Sequence, residues 1–233
     1  MKKIILIISL FVANIWANTH LHPQQLIVVT TQGWNTNYGK LQRYELKNNQ
    51  WHKVGKQIDI KLGRNGLGWG IGLHQTPQNA KYIKYEGDGR SPAGIFALKH
   101  AFGYNPFDIN YPYKAYTRAN HCVDDIHSKY YNKIVDSTKI DIDYHSKEYM
   151  KFAKDYYKYG ITVNHNHFDE DGAIKGRGSC IFIHIKSIPT AGCTVMSETQ
   201  IKEILRWLDK TKNPLLIQAP NNEIGHLLHR YIK

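Results

Sequence analysis

Two residues nine positions apart, His184 and Cys193, carry the side chains in this sequence best suited to covalent chemistry. Both lie in "CIFIHIKSIPTAGCTVM". A thiol beside an imidazole can pass its proton to the ring and attack a carbonyl carbon, and the neighbouring imidazole can lower the thiol pKa. The period-two alternation of a strand over "CIFIHI" puts Ile181, Ile183 and Ile185 on one face and Cys180, Phe182 and His184 on the other. The isoleucine face packs on a core, so His184 points to the opposite side. The loop "KSIPTAG" then returns the chain to Cys193, directly after Gly192. A cysteine there is expected to have an accessible thiol and a neighbouring backbone unobstructed by a Cβ, with amides able to face a substrate oxygen. The same spacing also fits a packed histidine and a half-buried, inert cysteine at a turn.

Short β-prone runs recur between turn residues, at 26–31, 39–46, 56–63, 94–103, 160–165, 180–185 and 214–219. That cadence predicts a mainly β domain, a sandwich or barrel. Two helices interrupt it. In "SETQIKEILRWLDK", Ser197 and Gln200 have capping-box spacing, and Ile201, Ile204, Leu205 and Leu208 form an apolar stripe. A second helix is expected over "SKEYMKFAKDYYKYG", with Tyr149, Phe152, Ala153 and Tyr156 as its stripe and Gly160 as its stop. A small helix is expected in the tail after Pro220. The stretch 105–143, rich in Tyr, Asn and Asp, reads as a long functional loop or lid whose tyrosines either stack on sugar rings or anchor the loop.

The first residues, "MKKIILIISLFVANIWA", have a charged start, an apolar run too short for a bilayer span and a small residue at Ala17. This is the layout of a secretory signal peptide over 1–17, leaving 18–233 as a single domain in the periplasm or cell wall, with no membrane span after cleavage. The formal net charge is +12, of which Lys2 and Lys3 account for two. The lysines are scattered without a long like-charge run, which favours polyanionic matrices and argues against specific nucleic-acid recognition. Three cysteines in an oxidising compartment leave at least one thiol unpaired.

With "GSCIFIHI" followed by "PTAGCTVM", the chain resembles the catalytic end of the L,D-transpeptidase (YkuD-like) family, in which a strand histidine precedes a Ser/Thr-x-Gly-Cys segment. The earlier "GDGRSPAGIF" resembles that family's Thr-Pro-x-Gly-x-Phe element, with Ser91, Pro92, Gly94 and Phe96 in place. Together with "CVDDIHSKYYNKIVD" and "GRNGLGWGIGL", these look like a divergent branch, and the resemblance spans 26–218. It implies a sandwich-like L,D-transpeptidase catalytic fold with a few peripheral helices. It makes Cys193 the nucleophile, His184 the base, and the Gly192 and Cys193 amides the oxyanion donors. Thr190 stands for the family's Ser, and Thr190, His165 and Asn164 are the expected substrate-binding residues. The implied substrate is the peptidoglycan stem peptide, attacked at the carbonyl of the diacid residue linked to terminal D-alanine. An amine then resolves the acyl-enzyme in a transpeptidase, or water in an L,D-carboxypeptidase, with no cofactor or metal. The chain departs from the family's pattern in the short gap between His184 and Cys193, in Ile185 where Gly is usual, in Ala191 where His is usual, and in Val195 where an Arg is frequent.

Other readings compete. His165, His167 and Asp169, with His184, form a candidate zinc set. The glycines of "GRNGLGWGIGL" lack the Gly-Lys-Ser/Thr of a phosphate loop and are better explained by turns and close packing around Trp69. A wall-binding module that kept the fold and lost activity is a third. A Cys122–Cys180 bridge would leave Cys193 free, but sequence alone does not bring those Cα atoms together. No oligomeric state is assigned.

Overall fold

The computed structural model describes residues 22–229 and 231; the expected signal peptide lies outside them. The strands are β1 (Gln25–Thr31), β2 (Tyr38–Lys47), β3 (Gln50–Lys61), β4 (Leu67–Trp69), β5 (Ser91–Gly103), β6 (Tyr113–Ala115), β7 (Asn120–Val123), β8 (Ile134–Asp136) and β9 (Lys147–Tyr149). They continue as β10 (Tyr159–Val163), β11 (Phe182–Ile185), β12 (Thr194–Met196) and, after helix α1 (Glu198–Trp207), β13 (Leu215–Pro220), before helix α2 (Asn221–Leu228). The fold is mainly β, as the strand cadence predicts.

Eight strands run in the order β10-β11-β12-β3-β2-β1-β13-β5, and β10 pairs back on β5, so the sheet closes on itself. Closure removes free edges. Its weakest seam is β12 against β3, where Val195 and Lys61 are the paired residues. The interior is filled by alternating apolar side chains such as Leu26, Val28, Ile95 and Ile217. Ile181 and Ile183 belong to this core, while Phe182 and Cys180 pack in a second cluster with Phe102, Tyr157 and Phe168. The two faces expected of β11 are thus both buried, against different cores.

The capping box at Ser197 and Gln200 forms, and Ile201, Ile204 and Leu205 are buried. The second expected helix does not form. Residues 147–149 instead pair with β7, with Cys122 opposite Glu148, and Asp155–Tyr157 make one 3-10 turn before β10. The proposed stripe fails as a buried face: Tyr149 is 47% exposed, whereas Met150 and Tyr157 are buried. Cross-strand contact of Tyr149 with His121 (ring centroids 4.8 Å apart) outweighs helical spacing here.

The stretch 105–143 is not a bare loop. It supplies β6 on the large sheet and two strands of a small sheet ordered β8-β7-β9. A disulfide between Cys122 on β7 and Cys180, just before β11, ties this small sheet to the strand that carries His184. No helix among the described residues is long and apolar enough to cross a membrane.

Candidate active site

Parallel pairing of β11 with β12 sets Ile183 against Thr194 and His184 against Val195. Residues opposite each other share a face, so Cys193, one step before Thr194, lies on the face of Phe182 and His184. Both Cys193 and His184 line a cavity of about 730 Å³, walled by residues 190–193, the 152–157 turn, Glu148 and Lys84. The cavity lies where the large sheet meets the small one.

The backbone of Cys193 is clamped by both sequence motifs. Its carbonyl accepts from Thr190 Oγ1 at 2.6 Å and from Ser91 Oγ at 3.3 Å. One residue on, Thr194 Oγ1 donates to Gln218 Oε1, and Gln218 Nε2 donates to the Pro92 carbonyl, each at 2.8 Å. "GDGRSPAG" thus acts as the scaffold on which "PTAGC" is seated. Gly192 is tightly packed: a Cβ there would lie 3.0 Å from Ile181 Cδ1 and 3.2 Å from the Arg90 carbonyl, so these neighbours would have to give by a few tenths of an ångström. Its amide donates to Thr190 Oγ1 at 3.1 Å, so this N–H, expected as an oxyanion donor, closes the turn. Thr190 likewise lines the cavity but spends its hydroxyl on the loop.

The thiol is not accessible in the expected way. Cys193 is 6% exposed; its Sγ accepts from the Phe182 amide at 3.3 Å and lies 3.5 Å from the Cys180 carbonyl, to which it donates. Cys180 holds a left-handed backbone (φ 53°), uncommon for a residue with a Cβ, and Asn132 Oδ1 receives its amide at 2.9 Å. Burial pushes the Cys193 thiol pKa up, and the Glu148 charge adds to this, against the lowering effects of the Phe182 amide, Lys186 and Lys84. The expectation of a lowered thiol pKa is therefore corrected: desolvation outweighs every group that favours the thiolate.

His184 is also neutral at rest, its pKa lowered to about 4 chiefly by burial. Its Nδ1 faces two carbonyl oxygens, Ile185 O at 3.1 Å and Tyr156 O at 3.2 Å. Carbonyls only accept, so Nδ1 carries the hydrogen and Nε2 carries the lone pair. The two groups thus rest as a thiol and a neutral imidazole.

The remaining predicted residues lie elsewhere. His165 is buried with both nitrogens engaged: Nδ1 accepts from the Ile71 amide at 3.2 Å and Nε2 donates to Arg177 O at 3.0 Å. Asn164 donates to Glu170 at 3.3 Å. Neither lines the cavity. These bonds leave His165 no nitrogen for a metal, and among the described residues no three His, Cys, Asp or Glu side chains converge as ligands.

Sequence reasoning missed Glu148, Tyr157 and Lys186 on the cavity wall. Tyr157 donates to the Glu148 carboxylate. Burial raises the Glu148 pKa to about 7, opposed by the Tyr157 hydrogen bond and reinforced by Asp124 and Glu86. Glu148 was hidden by the helical reading of 146–160. Lys186 had a signal, since it continues the alternation of Phe182 and His184.

No protein-family model matches this chain, and no curated protein matches it. Among solved structures, it is similar to that of Bdellovibrio bacteriovorus Bd1075, at 14% identity and a TM-score of 0.41, over 91% of this chain. The chain spans 56% of the length of that protein's chain.

Proposed function

We propose that this protein is an exported, cysteine-dependent acyl transferase of the L,D-transpeptidase type, acting on peptidoglycan stem peptides. The observation that carries the reading is that Cys193 and His184 share one face and one cavity, with the Cys193 carbonyl held by Ser91 and Thr190, one from each of the two motifs.

The chemistry follows from the tautomer. His184 Nε2 takes the thiol proton as Cys193 Sγ attacks the carbonyl of the diacid residue. The C–N bond to terminal D-alanine then breaks, and the same proton passes to the leaving amine. A thioester remains. An incoming amine attacks it, giving up a proton through His184 to the returning thiolate; a crosslink forms and the thiol is restored. Water in the amine's place gives an L,D-carboxypeptidase. Support for an acceptor amine comes from a second groove of about 440 Å³, which shares Tyr156 and Lys186 with the first cavity.

The test is mass analysis of purified tetrapeptide muropeptides after incubation with the mature protein and with Cys193→Ala. Cysteine-dependent loss of D-alanine is expected, with crosslinked dimers marking a transpeptidase and tripeptides a carboxypeptidase. No change with the unmodified protein would overturn the reading and leave the wall-binding module.

A further inference from the structure

Three lysines line the Cys193 cavity, and they differ in what holds them. Lys84 is buried, and its ammonium is taken by Asp88 Oδ1 at 2.6 Å and by the Tyr85 carbonyl. Lys154 is exposed, 5.9 Å from the Tyr156 ring centroid. Lys186 is half-buried two residues after His184, and its amide donates to Met196 O at 3.1 Å, extending the ladder of β11 and β12. Its ammonium lies 5.1 Å from the Tyr156 centroid and, among the described residues, forms no ion pair.

Its position is central. The Lys186 charge acts on Cys193, His184 and Glu148 alike, and its side chain stands on the wall common to the cavity and the second groove. Besides Lys84 and the exposed Lys154, the other charged groups lining the first cavity are acidic: Glu86, Asp124 and Glu148, the last holding its proton up to about pH 7. A carboxylate entering this space meets like charge unless a cation receives it, and leaving it unpaired in a partly dry site is costly. Lys84 is already neutralised by Asp88, and Val195, opposite His184, is apolar.

We propose that Lys186 is the carboxylate anchor of this site, pairing with the terminal carboxylate of the leaving amino acid, one residue beyond the scissile amide, and so selecting stems that end in a free acid at that position. The inference rests on the stem-peptide reading above. Lys186 thereby sets which peptides are held against Cys193, and the loss of its charge should raise KM far more than it lowers kcat.

The experiment compares the free-acid tetrapeptide with its C-terminal carboxamide, using the mature protein, Lys186→Met and Lys186→Arg. For the unmodified protein, amidation should lower kcat/KM roughly 10- to 100-fold, the range of a charged hydrogen bond. Lys186→Met should show a similar loss on the free acid and no further loss on the carboxamide; Lys186→Arg should restore most of the discrimination. If Lys186→Met, or Lys186→Gln should Met fail to fold, still discriminates as the unmodified protein does, the anchor lies elsewhere. Indifference of the unmodified protein to amidation overturns the anchor while the stem-peptide reading stands. Absence of any Cys193-dependent conversion of either peptide overturns that reading and the anchor with it.

Discussion

His165 and His184 make an instructive pair. Each belongs to one of two hydrogen-bonded strands or its immediate continuation, each is buried, and burial depresses both, to about 3 and about 4. A search for perturbed titratable groups would pick both. What separates them is the use of their nitrogens. His165 accepts with one and donates with the other, stitching the Ile71 and Arg177 segments together. His184 fixes only Nδ1 and lines the cavity that holds Cys193. Depressed basicity reports burial; an uncommitted ring nitrogen on a residue that lines the same cavity as a free thiol marks a candidate site.

The sharpest break of this comparison is by substitution. Cys193→Ala should abolish acyl transfer, and His184→Ala should reduce kcat about 10²- to 10⁴-fold, the usual worth of a positioned proton acceptor. His165→Ala should instead destabilise the fold by about 1–3 kcal/mol, because two buried backbone groups lose their partner. Turnover per folded molecule should remain close to normal. Activity measured beside denaturant melts checks this, and an equal catalytic loss in His165→Ala would dissolve the distinction.

A titration sharpens it. The acid limb of kcat/KM should fall near pH 4, where His184 gains its proton, and not near 6.5. Stability moves in the same direction. Both histidines bind a proton in the unfolded chain at pH 5 but not in the fold, so their contribution is complete above about 6.5. It declines as pH drops through 4 for His184 and through 3 for His165. Rate profiles and melts between pH 3 and 7 test both. A limb at 6.5 would mean that the ring is open to water.

The disulfide offers a third, smaller effect. Cys122 and Cys180 join the small sheet, which supplies Glu148, to the start of β11. Reduction or Cys122→Ser should lower stability by about 2–4 kcal/mol. It should also impair turnover, since Cys180 O receives the Cys193 thiol. Melts with and without reductant, scored beside activity, decide whether the bridge supports the site or only the fold.

How much of this was legible in sequence depended on whether local pattern and tertiary environment agreed. The two faces of β11 and the capping box at Ser197 follow from periodicity alone, and there the structure agrees. The stretch 146–160 carried a helical spacing of apolar residues, yet its partner β7 lies some 25 residues away, and no local pattern reveals that pairing. The same gap hid Glu148 and Tyr157. At Cys193 the residue types indicated a nucleophile, but not its state: the thiol's burial comes from Phe102, Tyr157 and Phe182, which converge from separate strands and turns. His165 and Asn164 failed as cavity residues because a polar loop sequence does not disclose which side chains are spent on holding the loop.

Glu148 gives the finest test, because its sign opposes that of the histidines. Its pKa is raised to about 7 from 4.5, so between those values the fold holds a proton that the unfolded chain has released. Stability from this group is complete below about 4.5 and is lost as pH rises through 7. The two histidines gain over much of the same interval, so the whole protein should show a shallow maximum in mildly acidic solution. Glu148→Gln keeps a hydrogen-bonding group for Tyr157 while removing the titration. It should flatten the neutral side of that maximum, steepen the rise between pH 4.5 and 6.5 where the carboxyl opposed the histidines, and leave the limb below 4.5, to which His100, His165 and His184 contribute, unchanged. It should also lower the thiol pKa slightly, since one of the groups that raises it is gone. Thermal melts from pH 4 to 8, with alkylation rates of Cys193 over the same range, would read both effects; an unchanged neutral limb in Glu148→Gln would place the carboxyl in contact with water and return the thiol's behaviour to burial alone.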